Sequence, residues 1–168
     1  MANFLDAFEK TMLLEGGYKL TDIKSDRGGQ TYAGISRKFH PNWQGWFYID
    51  KGETPPSEMV RGFYKVEFWD KFQADSIADQ KVAESLYDFG VNAGVKTSAK
   101  LAQIICGVTP DGAFGPKSLQ AVNSIDAQTF VLSFAIAKVS RYAAIVTKDK
   151  SQSKFLLGWL NRTLKGLK

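Results

Sequence analysis

Two carboxylates near the N-terminus, Glu15 and Asp26, lie in contrasting sequence surroundings. Glu15 ends an apolar run and is followed by two glycines in LEGGY, whereas Asp26 belongs to the polar stretch SDRGGQT. Hydrolysis of a glycosidic bond needs one carboxylic acid to protonate the leaving oxygen. It also needs a carboxylate that activates water, attacks directly, or stabilises the positive charge at the sugar carbon. The pair therefore has the residue types that glycoside hydrolysis requires.

The surroundings of the two carboxylates favour different protonation states. An acid that must stay protonated near neutral pH needs partial burial against apolar groups, because desolvation disfavours the charged form. The neighbours expected to provide this for Glu15 are Leu13, Leu14 and Tyr18. Polar neighbours and backbone N–H groups are expected to keep Asp26 ionised. Such a contrast is typical of an acid and its partner carboxylate.

Both carboxylates also have ordinary structural explanations. A glutamate before two glycines is common at the end of a helix, and an aspartate before a glycine pair is common in a turn. Thr31, five residues after Asp26, offers a hydroxyl that could position a water molecule. The residues alone leave the catalytic and the structural interpretations open.

Helices must position most of these side chains. Apolar periodicity and capping residues predict helices at 3–15, 57–72, 79–93, 97–106, about 117–123, 126–147 and 152–166. The glycine pair at 16–17 should end the first helix, which puts Glu15 at its last turn. Residues 18–54 are expected to be irregular, with a short hairpin around 18–23 and 31–35. The sequence thus predicts a mainly α protein with a small β element.

Composition narrows the function further. The chain has 168 residues, 44% hydrophobic, one cysteine (Cys106) and one histidine (His40). A single thiol and a single imidazole cannot build an internal disulfide or a cysteine metal cluster, and they give little support for a histidine triad or zinc site. No metal or organic cofactor is therefore expected. The net charge of +5 favours an anionic partner, but scattered basic residues without a recognition motif argue against nucleic acid.

The N-terminal segment has no basic n-region, and charged residues interrupt any apolar core of a signal peptide. No stretch approaches the ~18 apolar residues of a membrane span. The expectation is synthesis in the cytoplasm without a signal peptide, and no membrane span.

Two further stretches carry recognisable patterns. In DFGVNAG at 88–94, Asn92 stands near a helix end, where it could bind an acetamido group or cap the helix. In PDGAFGPKSLQAV at 110–122, turn residues precede a helix, and structural reasons suffice for them.

Several of these motifs together resemble glycoside hydrolase family 108, a family of bacterial and phage N-acetylmuramidases in the lysozyme-like superfamily. Three motifs resemble the N-terminal part of this family: EGGY (15–18), D-x-G-G-x-T-x-x-G-I (26–35) and VNAG (91–94). DGAFGPKS and FLLGWLNR (155–162) are similar to signatures of the peptidoglycan-binding-like domain that follows it. The resemblance implies that Glu15 is the catalytic glutamate. By analogy with other phage lysozymes, Asp26 and Thr31 would place the water, with Asp22 as the alternative second carboxylate.

The resemblance also implies a lysozyme-like helical fold with a C-terminal helical bundle half. It implies a catalytic domain at 1–95 and a peptidoglycan-binding-like domain at 96–168, packed against the first. The expected activity is hydrolysis of the β-1,4 bond between N-acetylmuramic acid and N-acetylglucosamine by a monomer. A non-catalytic peptidoglycan-binding accessory or secretion activator is the alternative. The residues expected to bind the glycan are Tyr18, Tyr32, Asn92, Trp43, Trp46 and Trp69. A phage or prophage lysin of this kind would reach the periplasm or wall through a holin or a secretion system.

Overall fold

The computed structural model describes residues 1–22 and 29–167, with only the backbone of Asp22. These residues form eight α-helices and a three-stranded antiparallel sheet. The helices are α1 (Phe4–Leu14), α2 (Trp46–Asp50), α3 (Ser57–Tyr64), α4 (Gln80–Ala93), α5 (Val95–Ile105), α6 (Pro116–Ser124), α7 (Ala127–Lys148) and α8 (Ser153–Lys165). The strands are β1 (Leu20–Asp22), β2 (Gln30–Tyr32) and β3 (Ile35–Ser36). The predicted mainly α fold with a small β element is confirmed.

Local capping explains where several helices begin. The Asp79 carboxylate accepts a hydrogen bond from the Val82 N–H at 3.0 Å at the start of α4, and Asp126 caps α7 in the same way. Pro116 opens α6, where its missing N–H costs nothing. Each of these residues lies at the first position of its helix or directly before it, which is why the sequence predicted these starts to within a residue or two.

Two segments differ from the sequence prediction. The helix expected at 57–72 is α-helical only to Tyr64 and continues as a π-helical turn at Lys65–Trp69 and a 3-10 turn at Asp70–Phe72. The short helix α2 lies inside the segment predicted to be irregular. It holds the buried Trp46, whose indole N–H donates to the His40 carbonyl at 2.8 Å. Arg37 also pairs with Asp50 at the end of α2. A five-residue helix fixed by such contacts outside it has too little periodicity to be recognised in a sequence.

The sheet contains the predicted hairpin, but with a third strand. Strands β1 and β2 pair with Leu20 opposite Tyr32 and Asp22 opposite Gln30. A two-residue turn then connects β2 to β3. Its residues, Ala33 and Gly34, have φ values of 49° and 79°. Two successive positive φ angles are typical of the type I′ turn that suits a tight hairpin, so the expected second strand is split at this turn.

The chain folds into two compact units. The N-terminal unit comprises residues 4–67, and the C-terminal unit comprises residues 1–3 and 68–168. The predicted domain boundary at 95/96 follows Val95, the first residue of α5, and lies inside the C-terminal unit. Aromatic rings dominate the core of that unit: Phe89 meets Phe134 edge-on with centroids 5.7 Å apart, and Phe130 stacks on Phe134.

One helix within the described ranges, α7, is long and apolar enough to cross a membrane by length and composition alone. This differs from the expectation that no stretch approaches a span. Core helices of soluble proteins meet the same criteria, and α7 buries Phe130, Phe134 and Tyr142. Its length and composition therefore assign it no membrane role.

Candidate active site

Glu15 stands where α1 ends. Its N–H donates to the Thr11 carbonyl at 2.9 Å, and the Gly17 N–H donates to the Met12 carbonyl at 2.9 Å. Gly16 and Gly17 have φ values of 84° and 76°, the left-handed region that only glycine enters at little cost. The glycine pair therefore ends the helix as predicted, and it leaves Glu15 half-buried at the helix terminus.

The β2–β3 turn lies directly beside the Glu15 side chain. A Cβ added at Gly34 would stand 3.4 Å from Glu15 Oε2 and 3.6 Å from Glu15 Cβ, and it would clash with the Tyr64 hydroxyl. Gly34 is the second-to-last residue of the D-x-G-G-x-T-x-x-G-I motif. Its missing side chain thus creates the space in which the Glu15 carboxylate meets the turn.

Buried aromatic rings hold this turn in place. The Tyr64 hydroxyl donates to the Ala33 carbonyl at 2.9 Å, and the Tyr64 ring packs edge-on against Phe8 with centroids 5.7 Å apart. Ala33 has a positive φ, which is unfavourable for a residue with a Cβ and persists only where the surroundings impose it. Phe8 from α1 and Tyr64 from α3 supply that constraint next to Glu15. The sequence carries no signal for this contact, because Tyr64 and Ala33 are 31 residues apart.

The predicted partners of Glu15 lie on or near the sheet. Thr31 is half-buried in β2, where its hydroxyl donates to the Gly29 carbonyl at 3.4 Å. Asp26 lies outside the described residues. Asp22 ends β1 opposite Gln30. Of the three residues predicted to be catalytic, the structure thus describes the surroundings of Glu15 and Thr31.

Tyr32, which follows Thr31 along β2, forms an aromatic stack with Trp43. Their ring centroids are 6.1 Å apart and their planes differ by 21°. Tyr32 is 4% exposed, and its hydroxyl has no hydrogen-bond partner among the described residues. Burial raises the pKa of the Tyr32 phenol, and the nearby Tyr18 raises it further. Tyr18 itself is 45% exposed, so it can contact a ligand from the surface.

Trp43 also lines a pocket of about 390 Å³ that sequence analysis did not anticipate. Phe63 and the sole histidine, His40, contribute aromatic walls, with their rings edge-on at 4.7 Å. Polar groups come from Asn42, Gln44 and Glu67, which also line the pocket. Aromatic faces combined with amide and carboxylate groups suit a sugar ring, which has both apolar faces and hydroxyl groups. The sequence signal for this pocket was the FHPNWQGW run, which mixes aromatic and amide residues.

Two of the tryptophans expected to bind glycan are core residues instead. Trp46 is 3% exposed, its N–H is bonded to the His40 carbonyl, and the Arg37 guanidinium lies over its ring. Trp69 has no exposed surface, and its N–H donates to Asp75 at 2.7 Å. A buried ring with a satisfied N–H presents no surface to a ligand, and neither residue lines the pocket beside Trp43.

The apolar surroundings expected for Glu15 are also thinner than the sequence suggested. Leu13 is 84% exposed and turns its side chain to solvent instead of covering the carboxylate. The β2–β3 turn lies against the Glu15 side chain at Gly34, and the Tyr64 hydroxyl lies beside the same glycine. The surroundings of the Glu15 carboxylate therefore depend less on Leu13, its near neighbour in the sequence, than on Gly34, 19 positions further along the chain.

Asn92 lies in the C-terminal unit, exposed on the last turn of α4. Gly94, with a φ of 89°, ends this helix by donating its N–H to the Gly90 carbonyl at 2.9 Å. The Asn92 side chain makes no hydrogen bond to a described residue. Capping is thus accomplished by Gly94, and the Asn92 amide is available to a ligand.

The DGAFGPKS signature is a structural feature organised by one buried glutamine. The Gln103 amide nitrogen donates to Asp111 at 2.7 Å and to the Ser118 hydroxyl at 3.0 Å, and its oxygen accepts from the Gly112 N–H at 2.9 Å. Hydrogen bonds from the Ala113 N–H and then from Gln103 lower the pKa of the Asp111 carboxyl. Four residues of the signature, Asp111, Gly112, Ala113 and Ser118, thus bind the Gln103 side chain on α5, for which the sequence carried no signal.

The closing FLLGWLNR motif also has a structural role. The Arg162 guanidinium binds the Asp88 carboxylate with its closest contact at 2.7 Å, which joins α8 to α4. Trp159 stacks on Tyr142 of α7 with centroids 5.2 Å apart. These contacts hold the last helix to the core of the C-terminal unit.

Comparison with known proteins assigns the two parts of the chain to a class. Residues 8–94 match the family described as glycosyl hydrolase 108, and residues 97–164 match one described as a predicted peptidoglycan domain. A mainly α fold, a half-buried glutamate at the sheet and these two matches define a glycoside hydrolase that acts on peptidoglycan of the cell wall.

The chain belongs to the glycosyl hydrolase 108 family, whose match covers more than half of its length. This confirms the resemblance carried by the sequence motifs. Among solved structures, the chain is similar in fold to Brucella abortus SagA, with 23% sequence identity and a TM-score of 0.75 over 98% of this chain and 91% of that one. No curated protein matches the chain.

Proposed function

We propose that this protein is a muramidase that hydrolyses the β-1,4 bond between N-acetylmuramic acid and N-acetylglucosamine, with Glu15 as the general acid. The observation that carries the proposal is the Glu15 carboxylate at the end of α1, half-buried against the strained β2–β3 turn. Strained backbone held by surrounding contacts is concentrated at functional sites. Family membership supports the same residue, because EGGY lies inside the matched range.

In the proposed reaction, Glu15 gives its proton to the glycosidic oxygen as the bond to the sugar carbon breaks. Asp26, with Thr31, orients or activates the water that completes hydrolysis. Asp22 is the competing second carboxylate, and separate Asp26→Asn and Asp22→Asn variants decide between them. The separation of the two carboxyl groups determines whether the product retains or inverts its configuration.

Aromatic and amide groups are proposed to bind the glycan. Trp43 and the pocket beside it would take a sugar ring, and the exposed Tyr18 would contact a neighbouring one. Tyr32, which is 4% exposed, would act by supporting the Trp43 ring on which it stacks. Asn92 would hydrogen-bond an acetamido group. Phage or prophage origin, delivery through a holin or secretion system, and a monomeric state stay predictions from the sequence.

The decisive experiment measures reducing ends released from purified sacculi and identifies the terminal sugar by mass spectrometry. Wild type should release N-acetylmuramic acid ends, and Glu15→Gln should lower the rate by about 100-fold or more, as expected for loss of a general acid. Glu9→Gln is the matched control, because Glu9 is an exposed carboxylate on α1.

Three results would contradict the proposal. Wild-type rates in Glu15→Gln would exclude Glu15 as the acid. N-acetylglucosamine ends would exclude muramidase specificity. Binding of sacculi by the wild type without any released ends would favour the non-catalytic accessory protein.

A further inference from the structure

An open groove of about 620 Å³ lies between α5 and α7 in the C-terminal unit. Helix α5 contributes Leu101 and Ile104 to its walls, and α7 contributes Ala137 and Ile145. Ile104 is 60% exposed, so most of this apolar side chain is accessible to a ligand from the surface. The groove therefore has an apolar floor that the described chain leaves open.

Two cations stand on the α7 side of this groove. Arg141 and Lys148 line it, seven residues apart on one face of the helix, which corresponds to about 10.5 Å along the axis. Neither side chain forms an ion pair or hydrogen bond with another described residue. The described residues that line the groove include no Asp or Glu. The groove is thus apolar along its floor and positive at two defined points.

This pattern selects one kind of ligand. A long polyanion would need a continuous basic stripe, which an apolar floor does not provide. A short peptide with small apolar side chains and two carboxylates would satisfy both features. Extended residues advance about 3.3–3.6 Å each, so carboxylates about three residues apart would reach both cations. The stem peptides of peptidoglycan combine alanine methyl groups with several carboxylates over four or five residues.

We propose that the α5–α7 groove binds the stem peptide of peptidoglycan. Arg141 and Lys148 bind two of its carboxylates, and Leu101 and Ile104 contact its alanine methyl groups. The inference rests on the assignment of the chain to peptidoglycan, and it specifies the part of the polymer that the C-terminal unit recognises. Both helices fall almost wholly within the range matched by the peptidoglycan domain.

The test titrates the full-length protein with two soluble probes, the free tetrapeptide L-Ala-γ-D-Glu-diaminopimelate-D-Ala and peptide-free glycan strands. The double variant Arg141→Glu/Lys148→Glu should raise the Kd for the tetrapeptide about tenfold or more, since two attractive charge contacts become repulsive. Ile104→Gln should raise it about threefold through loss of apolar contact. Both substitutions alter side chains that are at least partly exposed, so the fold should persist.

The matched control, Lys117→Glu/Lys154→Glu, makes the same change in net charge at exposed positions outside the groove and should leave the Kd within about twofold. An equal loss in this control would overturn the proposal, as would absence of tetrapeptide binding by the wild type. Preferential binding of phosphatidylglycerol vesicles through Arg141 and Lys148 would overturn it in favour of a lipid ligand. Reducing-end release from the peptide-free strands reports on hydrolysis separately, so hydrolysis without peptide binding would contradict this inference alone.

Discussion

Lys138 offers a quantitative test of the core of the C-terminal unit. Its side chain is 6% exposed, and its ammonium lies 4.8 Å from the centre of the Phe134 ring and 5.3 Å from that of Phe89. Burial lowers the pKa of Lys138 from 10.5 to about 8; the nearby Asp88 opposes this shift and Arg162 adds to it. The Lys138 amine therefore binds a proton less tightly in the folded protein than in the unfolded chain.

The sign of the stability effect follows from that difference. Between pH 8 and pH 10.5 the unfolded chain binds more protons at Lys138 than the folded protein does. The contribution of Lys138 to the free energy of unfolding therefore increases as pH rises through this window, and its full penalty applies below pH 8. A shift from 10.5 to about 8 corresponds to about 3 kcal/mol at 1.36 kcal/mol per pKa unit.

The perturbation is Lys138→Met, which keeps most of the aliphatic volume and removes the ammonium. We expect the stability of this variant relative to wild type to fall by about 2–3 kcal/mol between pH 7 and pH 10, because only the wild type regains stability on deprotonation. A change in packing caused by the substitution is the same at both pH values, so it does not mimic this trend. Urea unfolding followed by tryptophan fluorescence, with reductant to protect Cys106, measures the difference.

The control is Lys154→Met, which removes a lysine from an exposed position and should change the free energy of unfolding by no more than about 0.5 kcal/mol. An equal difference in the free energy of unfolding between wild type and Lys138→Met at pH 7 and at pH 10 would refute this prediction. In that case the ammonium would not titrate within this window, and burial between the two phenylalanine rings would not govern its ionisation.

Two further substitutions test the candidate active site and the C-terminal signature. Gly34→Ala should destabilise the protein by about 2–3 kcal/mol in chemical denaturation and lower its sacculus-hydrolysing activity, because the new Cβ clashes with Tyr64 beside Glu15. Gly52→Ala is its control: Gly52 also has a positive φ but has nothing within 4 Å of an added Cβ, so equal effects of the two would refute the steric argument. Gln103→Leu should lower the free energy of unfolding by about 3 kcal/mol, because it leaves several turn groups unpaired. Thermal unfolding beside the exposed control Gln120→Leu measures this, and equal stabilities would show that Gln103 does not organise the signature.

The motifs that made the family recognisable divide into two kinds in the structure. EGGY and the glycine at 34 surround the proposed acid, so their residue types are tied to the Glu15 carboxylate. The DGAFGPKS and FLLGWLNR signatures instead fix a turn to Gln103 and the last helix to Asp88. A motif in this chain is therefore not by itself a mark of a binding residue, and contacts must distinguish the two kinds.

The sequence alone determined the features that depend on neighbours along the chain. Asp79, Asp126 and Pro116 mark helix starts because a cap acts within its own first turn. The Gly16-Gly17 pair ends α1 beside Glu15 for the same local reason, since only glycine enters positive φ freely. These local preferences were sufficient to predict most helices, the mainly α class and the position of the proposed acid at a helix end.

Only the tertiary structure decided which side chains meet and which are exposed. Residue type does not distinguish the three tryptophans at 43, 46 and 69. In the structure, Trp46 and Trp69 are buried with satisfied N–H groups, whereas Trp43 lines an open pocket. Tyr64 reaches Ala33 across 31 residues, and Lys138 is enclosed by rings from two helices. Such contacts depend on how whole elements pack, and residue type and spacing along the chain do not specify that packing.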